Sequence, residues 1–179
     1  MGMQCVCLRT MATCKNLLIV YHSHTGGTLQ MAQALQEGAC AAAQPGTLNV
    51  RMRHASEANL ADVLAADGLV FATPENLAAM SGMLKHFFDR CYYGALDHLN
   101  GRPYACLVCA GSDGQQATQQ IARIATGWRL KAVAAPLIVC TGAQTPEAIE
   151  APKKLPERDL APCRELGAAL ASGLVMGIF

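Results

Sequence analysis

The strongest structural signal in the sequence is Asn16-Leu17-Leu18-Ile19-Val20-Tyr21-His22-Ser23-His24-Thr25-Gly26-Gly27-Thr28. Its first six residues form a short, continuous apolar run, which is typical of a β-strand buried on both faces of a parallel sheet. The run stops at small and hydroxylated residues. We therefore expect a core strand over residues 16–21 that leads into a loop and then into a helix.

The rest of the chain repeats this alternation of apolar strands and helices. Further strands are predicted over residues 47–54, 68–72, 104–109 and 136–140, and helices over residues 28–43, 57–65, 80–91, 115–126 and beyond Pro162. Pro74 is expected to end the third strand, because proline cannot donate a hydrogen bond to a strand ladder. Five apolar strands alternating with helices predict an α/β fold, a parallel sheet with helices on both faces.

Three loops rich in glycine, proline, serine and threonine follow the first, third and fourth predicted strands. In an open parallel sheet the carboxyl ends of the strands share one edge, and ligands bind there. We expect these three loops to converge on a single ligand site.

The loop over residues 23–28 has the composition of an anion site. Backbone N–H groups and hydroxyls at the start of a helix can surround a phosphate, helped by the positive end of the helix dipole. No lysine follows the glycines, and the pattern is not G-x-G-x-x-G, so the spacing favours one terminal phosphate over a triphosphate or a dinucleotide. The alternative is a plain strand-to-helix turn with a hydroxyl cap.

The loop Ser23-His24-Thr25-Gly26-Gly27-Thr28 resembles the S/T-x-T-G-x-T phosphate loop of the flavodoxin superfamily. A second stretch, Ala72-Thr73-Pro74-Glu75-Asn76-Leu77-Ala78-Ala79-Met80-Ser81-Gly82-Met83-Leu84-Lys85-His86-Phe87-Phe88-Asp89-Arg90, is similar to G-T-P-x-x-x-x-x-M-x-G-x-x-K-x-F-x-D. That motif belongs to the NAD(P)H:quinone oxidoreductase and NADPH-dependent FMN reductase branch. The resemblance covers about residues 15–175 and implies a flavodoxin-like three-layer sandwich with strand order 2-1-3-4-5.

The resemblance also implies a set of cofactor contacts. Residues 23–28 would hold the FMN phosphate, and Thr73, Pro74, Glu75, Asn76 and Leu77 would run under the isoalloxazine ring. Cys109, Ala110, Gly111, Ser112 and Gly114 would close its pyrimidine side, with Met80 and Gly82 near the ring. The chemistry would lie at flavin N5, so no catalytic acid–base residues are expected.

The sequence departs from the family pattern beside the predicted ring site. Residues 75–79 contain no aromatic side chain, whereas many relatives place one beside the flavin. The ring is then more exposed, or a partner chain covers it. Trp128, Tyr92 and Tyr93 are the candidates within this chain to cover it.

The resemblance implies an oxidoreductase that passes electrons from NADPH or NADH to a quinone, a free flavin or a similar small acceptor. One alternative is a flavodoxin-type electron carrier without nicotinamide chemistry. Such carriers are usually strongly acidic, whereas this chain has 13 acidic and 14 basic residues, which favours the enzyme. Another alternative is a scaffold that has lost its cofactor, and the intact 23–28 loop argues against it.

The composition limits the kinds of molecule that the protein is expected to bind. The net charge of +1, without a run of like charges, argues against nucleic acid and anionic membranes as partners. No apolar stretch approaches the ~20 residues of a membrane span. Hydrophobic residues make up 52% of the chain and charged residues only 15%, which favours a homo-oligomer, a dimer or a tetramer.

Nine cysteines are scattered through apolar segments, an odd count that fits reduced thiols in the cytoplasm. Cys5, Cys7 and Cys14 match no zinc spacing, and no metal is expected. Residues 1–14 are interpreted as a flexible leader, with translation starting at Met1 or at Met11, ahead of one domain over residues 15–179.

Overall fold

The computed structural model describes residues 14–179. The strands are β1 (Lys15–Tyr21), β2 (Leu48–His54), β3 (Gly68–Asn76), β4 (Ala79–Met80), β5 (Pro103–Ala110), β6 (Lys131–Ala132) and β7 (Leu137–Cys140). The helices are α1 (Gly27–Ala42), α2 (Leu60–Ala65), α3 (Gly82–Ala95), α4 (Gln115–Gly127), α5 (Pro146–Glu150) and α6 (Glu157–Met176). Strands and helices alternate along most of this range, as the sequence predicts.

The sheet is parallel in the order β2-β1-β3-β5, and both β6 and β7 pair with β5 on its outer side. This confirms the predicted flavodoxin-like α/β fold, since β6 and β7 together occupy the place of the fifth strand. Two apolar clusters separate the layers. Buried residues of α1 and α6 pack on one face of the sheet, and buried residues of α2, α3 and α4 pack on the other.

Two glycines allow α1 and α6 to approach closely. A Cβ atom at Gly38 would lie 2.0 Å from the backbone oxygen of Arg164, and a Cβ atom at Gly167 would lie 2.0 Å from that of Leu35. Any side chain at either position would push backbone apart, because interiors are already close-packed. The helix that begins at the 23–28 loop is therefore held directly against the last helix.

The third strand continues past the point where Pro74 was expected to end it. Thr73 pairs with Val108 and Pro74 with Cys109, and β3 runs to Asn76. The amide of His22 donates to the Ala72 carbonyl, so Ala72 faces β1 and Pro74, two residues on, faces the same side beyond the end of β1. The missing N–H of proline therefore costs no ladder hydrogen bond.

A short hairpin follows β3 and was not predicted. Glu75 pairs with Met80 and Asn76 with Ala79, which leaves Leu77 and Ala78 as a two-residue turn with φ angles of 51° and 56°. Two successive positive φ angles are the signature of a type I′ turn, a conformation that favours asparagine and glycine. Helix α3 consequently begins at Gly82, and Met80 belongs to the hairpin strand.

The predicted fifth strand over residues 136–140 is present as β7, and the short strand β6 precedes it beside β5. Tyr104 pairs with Ala132 and Leu107 with Leu137, so three positions along β5 correspond to five along its partner strand. Such an insertion bends the strand and ends the local pairing. Residues 133–136 form this irregular segment between β6 and β7.

Two more helices, α2 and α6, begin at other residues than predicted, and one further helix was not predicted. Helix α2 begins at Leu60, three residues late, because Asn59 and Asp62 form a reciprocal capping box. Helix α6 begins at Glu157 and contains Pro162, which was expected to precede it. The short helix α5 was not predicted; Thr145 caps it and Pro146 occupies its first turn.

The predicted leader, apart from Cys14, lies outside the described residues, as do Cys5, Cys7 and Met11. The seven cysteines within residues 14–179 are all free thiols. Among these residues, none of the helices combines the length and apolar character needed to cross a bilayer.

Candidate functional site

A cavity of about 470 Å³ lies at the carboxyl ends of the parallel strands. Four chain segments line it. They contribute Ser23, His24, Thr25, Gly27 and Thr28 after β1; Pro74, Glu75, Asn76, Leu77 and Ala78 at the β3 hairpin; Cys109, Ala110, Gly111 and Ser112 after β5; and Thr141, Ala143, Ile149, Glu150 and Lys153 after β7. The three loops singled out from the sequence do converge on one site, as the topology predicts.

The loop after β1 turns tightly into α1. Gly26 caps the helix with a φ of 89°, a left-handed conformation that glycine adopts without steric cost. The Ser23 hydroxyl oxygen accepts hydrogen bonds from the amides of Gly26 and Leu29, at 3.1 and 3.2 Å. The loop is thus held in shape by its own serine at the positive end of the α1 dipole.

The Thr28 hydroxyl group is the clearest sign of a ligand. The residue is only 1% exposed and lines the cavity, yet its Oγ1 has no hydrogen-bond partner within residues 14–179. A buried hydroxyl without a partner costs free energy that native proteins seldom pay. A phosphate oxygen would accept this hydrogen bond, so the residues present fit a phosphate group at the N-terminus of α1.

Glu75 offers a second unfilled hydrogen-bonding position. Its Oε2 accepts a hydrogen bond from the Gly114 amide at 2.8 Å, which fixes the carboxylate between the β3 hairpin and the loop after β5. Its Oε1 is buried, and no partner for it is found in the described part of the chain. An N–H donor on a planar ring inside the cavity would fit this acceptor, so the Glu75 side chain can itself contact a ligand in the cavity.

Cys109 lies directly beneath the 23–28 loop. Its sulfur would be 2.5 Å from a Cβ atom at Gly27, so only glycine fits there. Burial raises the pKa of the Cys109 thiol to about 11, and the charge of Lys153 opposes that shift only in part. The thiol is neutral at physiological pH, which suits packing rather than nucleophilic or redox chemistry.

Of the predicted site residues, five lie outside the cavity lining: Gly26, Thr73, Met80, Gly82 and Gly114. Gly26 and Gly114 cap helices α1 and α4 behind the loops that line the cavity. Gly82 begins α3 on the exposed side of the hairpin. These glycines shape the backbone around the site without bordering the cavity.

Thr73 and Met80 point into the protein. The Thr73 hydroxyl oxygen accepts from the Ser81 amide at 3.0 Å, and the residue is completely buried. Met80 is 6% exposed and packs in the apolar cluster that includes α3 and α4. The two residues hold the hairpin in place, because both of its ends are tied to the sheet or to the core.

The aromatic residues expected to cover the ring lie elsewhere. Trp128 is completely buried beneath the opposite layer, stacks on Tyr92 at 5.9 Å between ring centroids, and donates from Nε1 to the Tyr92 carbonyl. Neither Tyr92 nor Tyr93 borders the cavity. None of these three candidates covers the cavity within the chain, because the helices that carry them pack against a different part of the sheet.

The residues after β7 were not predicted as part of the site. Thr141 follows the fifth strand directly, and its amide donates to the Ala110 carbonyl at 2.9 Å, which brings the segment to the same edge. Ala143 sits against Gly111, where a Cβ atom would lie 2.8 Å from the Ala143 oxygen. The available signal was positional, since the fifth strand must also end at this edge.

Histidines flank the loop after β1. His24 is exposed and lines the cavity, whereas His22 is half-buried and contacts the ring of His54. Burial, followed by the charges of His54 and His24, lowers the pKa of His22. His22 is therefore neutral at physiological pH and adds no positive charge for a phosphate.

The model of the NADPH-dependent FMN reductase family matches residues 28–145, which include most of the sheet and the site. The chain belongs to this family. The match covers the hairpin and the loop after β5 and begins at Thr28, so residues 23–27 lie outside it. It confirms the resemblance inferred from the two sequence motifs.

A curated relative, a flavodoxin of Aquifex aeolicus (strain VF5), is 42% identical over 96 residues, which are 54% of this chain and 48% of that protein. The alignment thus spans about half the length of the relative. Among solved structures, a flavodoxin from the domain Archaea has a TM-score of 0.73 at 19% identity, covering 89% of this chain and 98% of its own. A flavodoxin, WrbA-like protein from Agrobacterium tumefaciens has a TM-score of 0.67 at 20% identity, covering 90% and 98%.

These structural likenesses show the flavodoxin-like fold. The family match adds the class of activity and supports an FMN-binding flavoprotein oxidoreductase. The cavity, the Thr28 hydroxyl and the Glu75 carboxylate are the features of this chain that fit such a cofactor.

Proposed function

We propose that this protein is an FMN-dependent oxidoreductase that accepts hydride from NADPH or NADH and reduces a quinone, a free flavin or a similar small acceptor. The observation that carries the proposal is the unpartnered Thr28 hydroxyl, buried at the N-terminus of α1 and bordering the cavity. It marks a position for an anion in the loop where the family motif places the FMN phosphate.

Each lining segment takes one part of the cofactor in this proposal. Thr28, Ser23, Thr25 and the backbone of the same loop hold the phosphate. The β3 hairpin supports one face and edge of the ring through Pro74 and the backbone beyond it. The loop after β5, residues 109–112, closes the opposite edge, and Glu75 accepts a hydrogen bond from a ring N–H through Oε1.

Bound FMN would supply hydride acceptance and onward electron transfer, chemistry that no side chain of this cavity provides. The protein then binds, orients and shields. The neutral Cys109 thiol keeps the floor of the loop free of negative charge. Glu75 places a carboxylate beside the ring, which disfavours additional negative charge there.

The curated flavodoxin relative favours a second candidate, an electron carrier without nicotinamide chemistry. Carriers that dock on basic partners are usually acidic, and the near-neutral balance of this chain, with a net charge of +1, supports the enzyme instead. Leu77 borders the cavity and its side chain is fully exposed. The described part of the chain therefore leaves this side of the cavity uncovered, and a small substrate can approach there.

An absorbance experiment tests the proposal. The purified protein is stripped of flavin, titrated with FMN, and then mixed anaerobically with NADPH and separately with NADH. We expect one FMN to bind per chain. At least one of the two nucleotides should then reduce the bound flavin rapidly near neutral pH, seen as a loss of the visible absorbance of oxidised flavin. Subsequent addition of a quinone should restore the oxidised spectrum.

The alternatives give different results. A protein that binds FMN but stays oxidised with both nucleotides is the electron carrier. A protein that takes up no FMN is the scaffold, and the site assignment is then wrong. Free FMN mixed with the same nucleotides is the control for uncatalysed reduction.

We further propose a cytoplasmic homo-oligomer, a dimer or a tetramer. The free thiols found within residues 14–179 suit a reducing compartment, and exposed Leu77 and Met83 lie on or next to the hairpin that borders the cavity. Light scattering after size-exclusion chromatography measures the mass of the assembly. A monomer at micromolar concentration would contradict the oligomer.

A further inference from the structure

The Gln30 side chain links the 23–28 loop to the segment before α6. Its Nε2 donates hydrogen bonds to the carbonyl oxygens of Gly26, at 3.0 Å, and Lys153, at 2.7 Å. Its Oε1 accepts from the Leu155 amide at 3.1 Å. One half-buried side chain thus uses both ends of its amide to join two distant parts of the chain.

Lys153 adds two more connections at the same place. Its amide donates to the Thr25 carbonyl at 2.7 Å. Its Nζ donates to the carbonyls of Ala148, Ile149 and Ala151, at 2.6, 2.9 and 2.7 Å. The Lys153 ammonium group thus satisfies carbonyls at the C-terminal end of α5, a position that favours a cation. Because Lys153 holds α5 as well as the loop, the wall formed by Ile149 and Glu150 is fixed relative to residues 23–28.

These bonds support the orientation of two peptide groups of the loop. The Thr25 carbonyl accepts from the Lys153 amide, and the Gly26 carbonyl accepts from the Gln30 side chain and, at 3.1 Å, from the Gln30 backbone amide in the first turn of α1. A trans peptide is planar, so its N–H points opposite to its C=O. Holding the Thr25 carbonyl toward Lys153 therefore turns the Gly26 N–H to the other side, where it donates to the Ser23 hydroxyl. The Gly26 carbonyl follows the direction of α1, so the Gly27 N–H points toward the start of that helix, among the unpaired N–H groups of its first turn.

We propose that Gln30 is a positioning residue for phosphate recognition, which makes the site prefer a phosphorylated flavin to riboflavin. The inference rests on the proposed function and deepens it. Gln30 does not border the cavity; it acts through the Thr25 and Gly26 peptides and through Lys153. The unpartnered Thr28 hydroxyl supplies independent evidence that an anion belongs at this loop.

The test compares Gln30→Met with Gln33→Met. Methionine matches the length of glutamine and removes the amide, and Gln33 is an exposed glutamine on the same helix. Amide hydrogen exchange of the flavin-free proteins reads the link directly at Leu155, whose amide donates to Gln30, and indirectly at Lys153, whose amide donates to the Thr25 carbonyl. Fluorescence titration then gives the affinity of each protein for FMN and for riboflavin.

We expect Gln30→Met to lose exchange protection at both amides and to bind FMN about tenfold more weakly, the effect of one or two lost hydrogen bonds. Its riboflavin affinity should stay within a factor of about two of the wild-type value, since that ligand has no phosphate. Gln33→Met should match the wild type in every measurement. Circular dichroism checks the fold, and Gln30→Ala replaces the methionine variant if that variant does not fold.

Three results would overturn the inference. Unchanged FMN affinity in a variant with normal fold shows that Gln30 does not position the loop. Equal losses for FMN and riboflavin show a general structural role. A wild-type protein that binds neither flavin refutes the proposed function itself, and the exchange data then report only the structural link.

Discussion

The sulfur of Cys109 would lie 2.5 Å from a Cβ atom at Gly27, so the 23–28 loop and strand β5 meet through a glycine and a thiol. Gly27 is therefore required for lack of space, although its φ angle is one that other residues adopt. The contact joins the two segments proposed to hold opposite ends of the cofactor. The tightness of this contact can be tested by adding a methyl group at Gly27 and then removing the sulfur of Cys109.

Gly27→Ala is expected to lower FMN affinity at least tenfold, because an overpacked contact typically costs about 1–3 kcal/mol and this one displaces the loop. Cys109→Ala removes the sulfur, so the double variant Gly27→Ala, Cys109→Ala should recover most of the affinity. Fluorescence titration with FMN measures all three variants. Additive losses in the double variant would contradict the steric explanation.

Glu75→Gln is expected to raise the reduction potential of bound flavin by tens of millivolts, where 30 mV is about 1.4 kcal/mol for two electrons. The substitution removes a negative charge beside the proposed ring position and keeps an acceptor for the Gly114 amide. Spectroelectrochemical titration measures the potential. Glu150→Gln is the matched control, since Glu150 also borders the cavity but is exposed and screened by water.

Stability is expected to fall as the pH rises above 9. Burial raises the pKa of Cys106 and Cys163 from 9.0 to about 12, and that of Cys109 to about 11. The unfolded chain loses these protons first, so each buried thiol lowers the free energy of unfolding by about 1.4 kcal/mol per pH unit between the two pKa values. Below pH 9 the thiols are protonated in both the folded and the unfolded chain, so this loss of stability is absent.

Urea unfolding at pH 8 and pH 10.5 measures the effect. Cys106→Ala should reduce the difference between the two midpoints, whatever the variant loses at pH 8 through its smaller side chain. Cys40→Ala, at an exposed position, is the matched control and should leave the difference unchanged. Equal differences in both variants would show that buried thiols are not the cause.

Ala78→Gly is expected to stabilise the protein by about 1 kcal/mol, because a left-handed residue with a side chain costs about 1–2 kcal/mol and glycine removes that cost. Ala78 has a φ of 56° in the hairpin turn. The neighbouring Ala79→Gly lies in β4, where glycine only adds flexibility, and should destabilise. Urea midpoints that shift in the same direction for both variants would contradict the strain assigned to the turn.

The sheet could be predicted because buried parallel strands leave continuous apolar runs, such as residues 16–21, in the sequence. The loops after β1, β3 and β5 could be predicted because small and hydroxylated residues follow those runs. The continuation of β3 past Pro74 could not, since it depends on where β1 ends. A proline within a strand costs no hydrogen bond only where no adjacent strand has a carbonyl group opposite its nitrogen.

The unpredicted half of the site comes from long-range contacts. Gln30 has the sequence pattern of an ordinary helix-surface glutamine, and its hydrogen bonds reach the backbone of Lys153 and Leu155, 123 and 125 positions further along the chain. Lys153 lies in a polar segment that a sequence suggests is only a connection. Trp128 was a candidate to cover the site but is buried away from the cavity. Composition does not show which face of the sheet an aromatic side chain covers.

The glycine contacts between α1 and α6 have a consequence for synthesis in the cell. The 23–28 loop leaves the ribosome before α6, so α1 finds its packing partner only when Gly167 has emerged. Domains fold as units during translation, and here the unit closes late. A nascent or truncated chain that lacks α6 should therefore leave α1 unpacked and the proposed flavin site unformed.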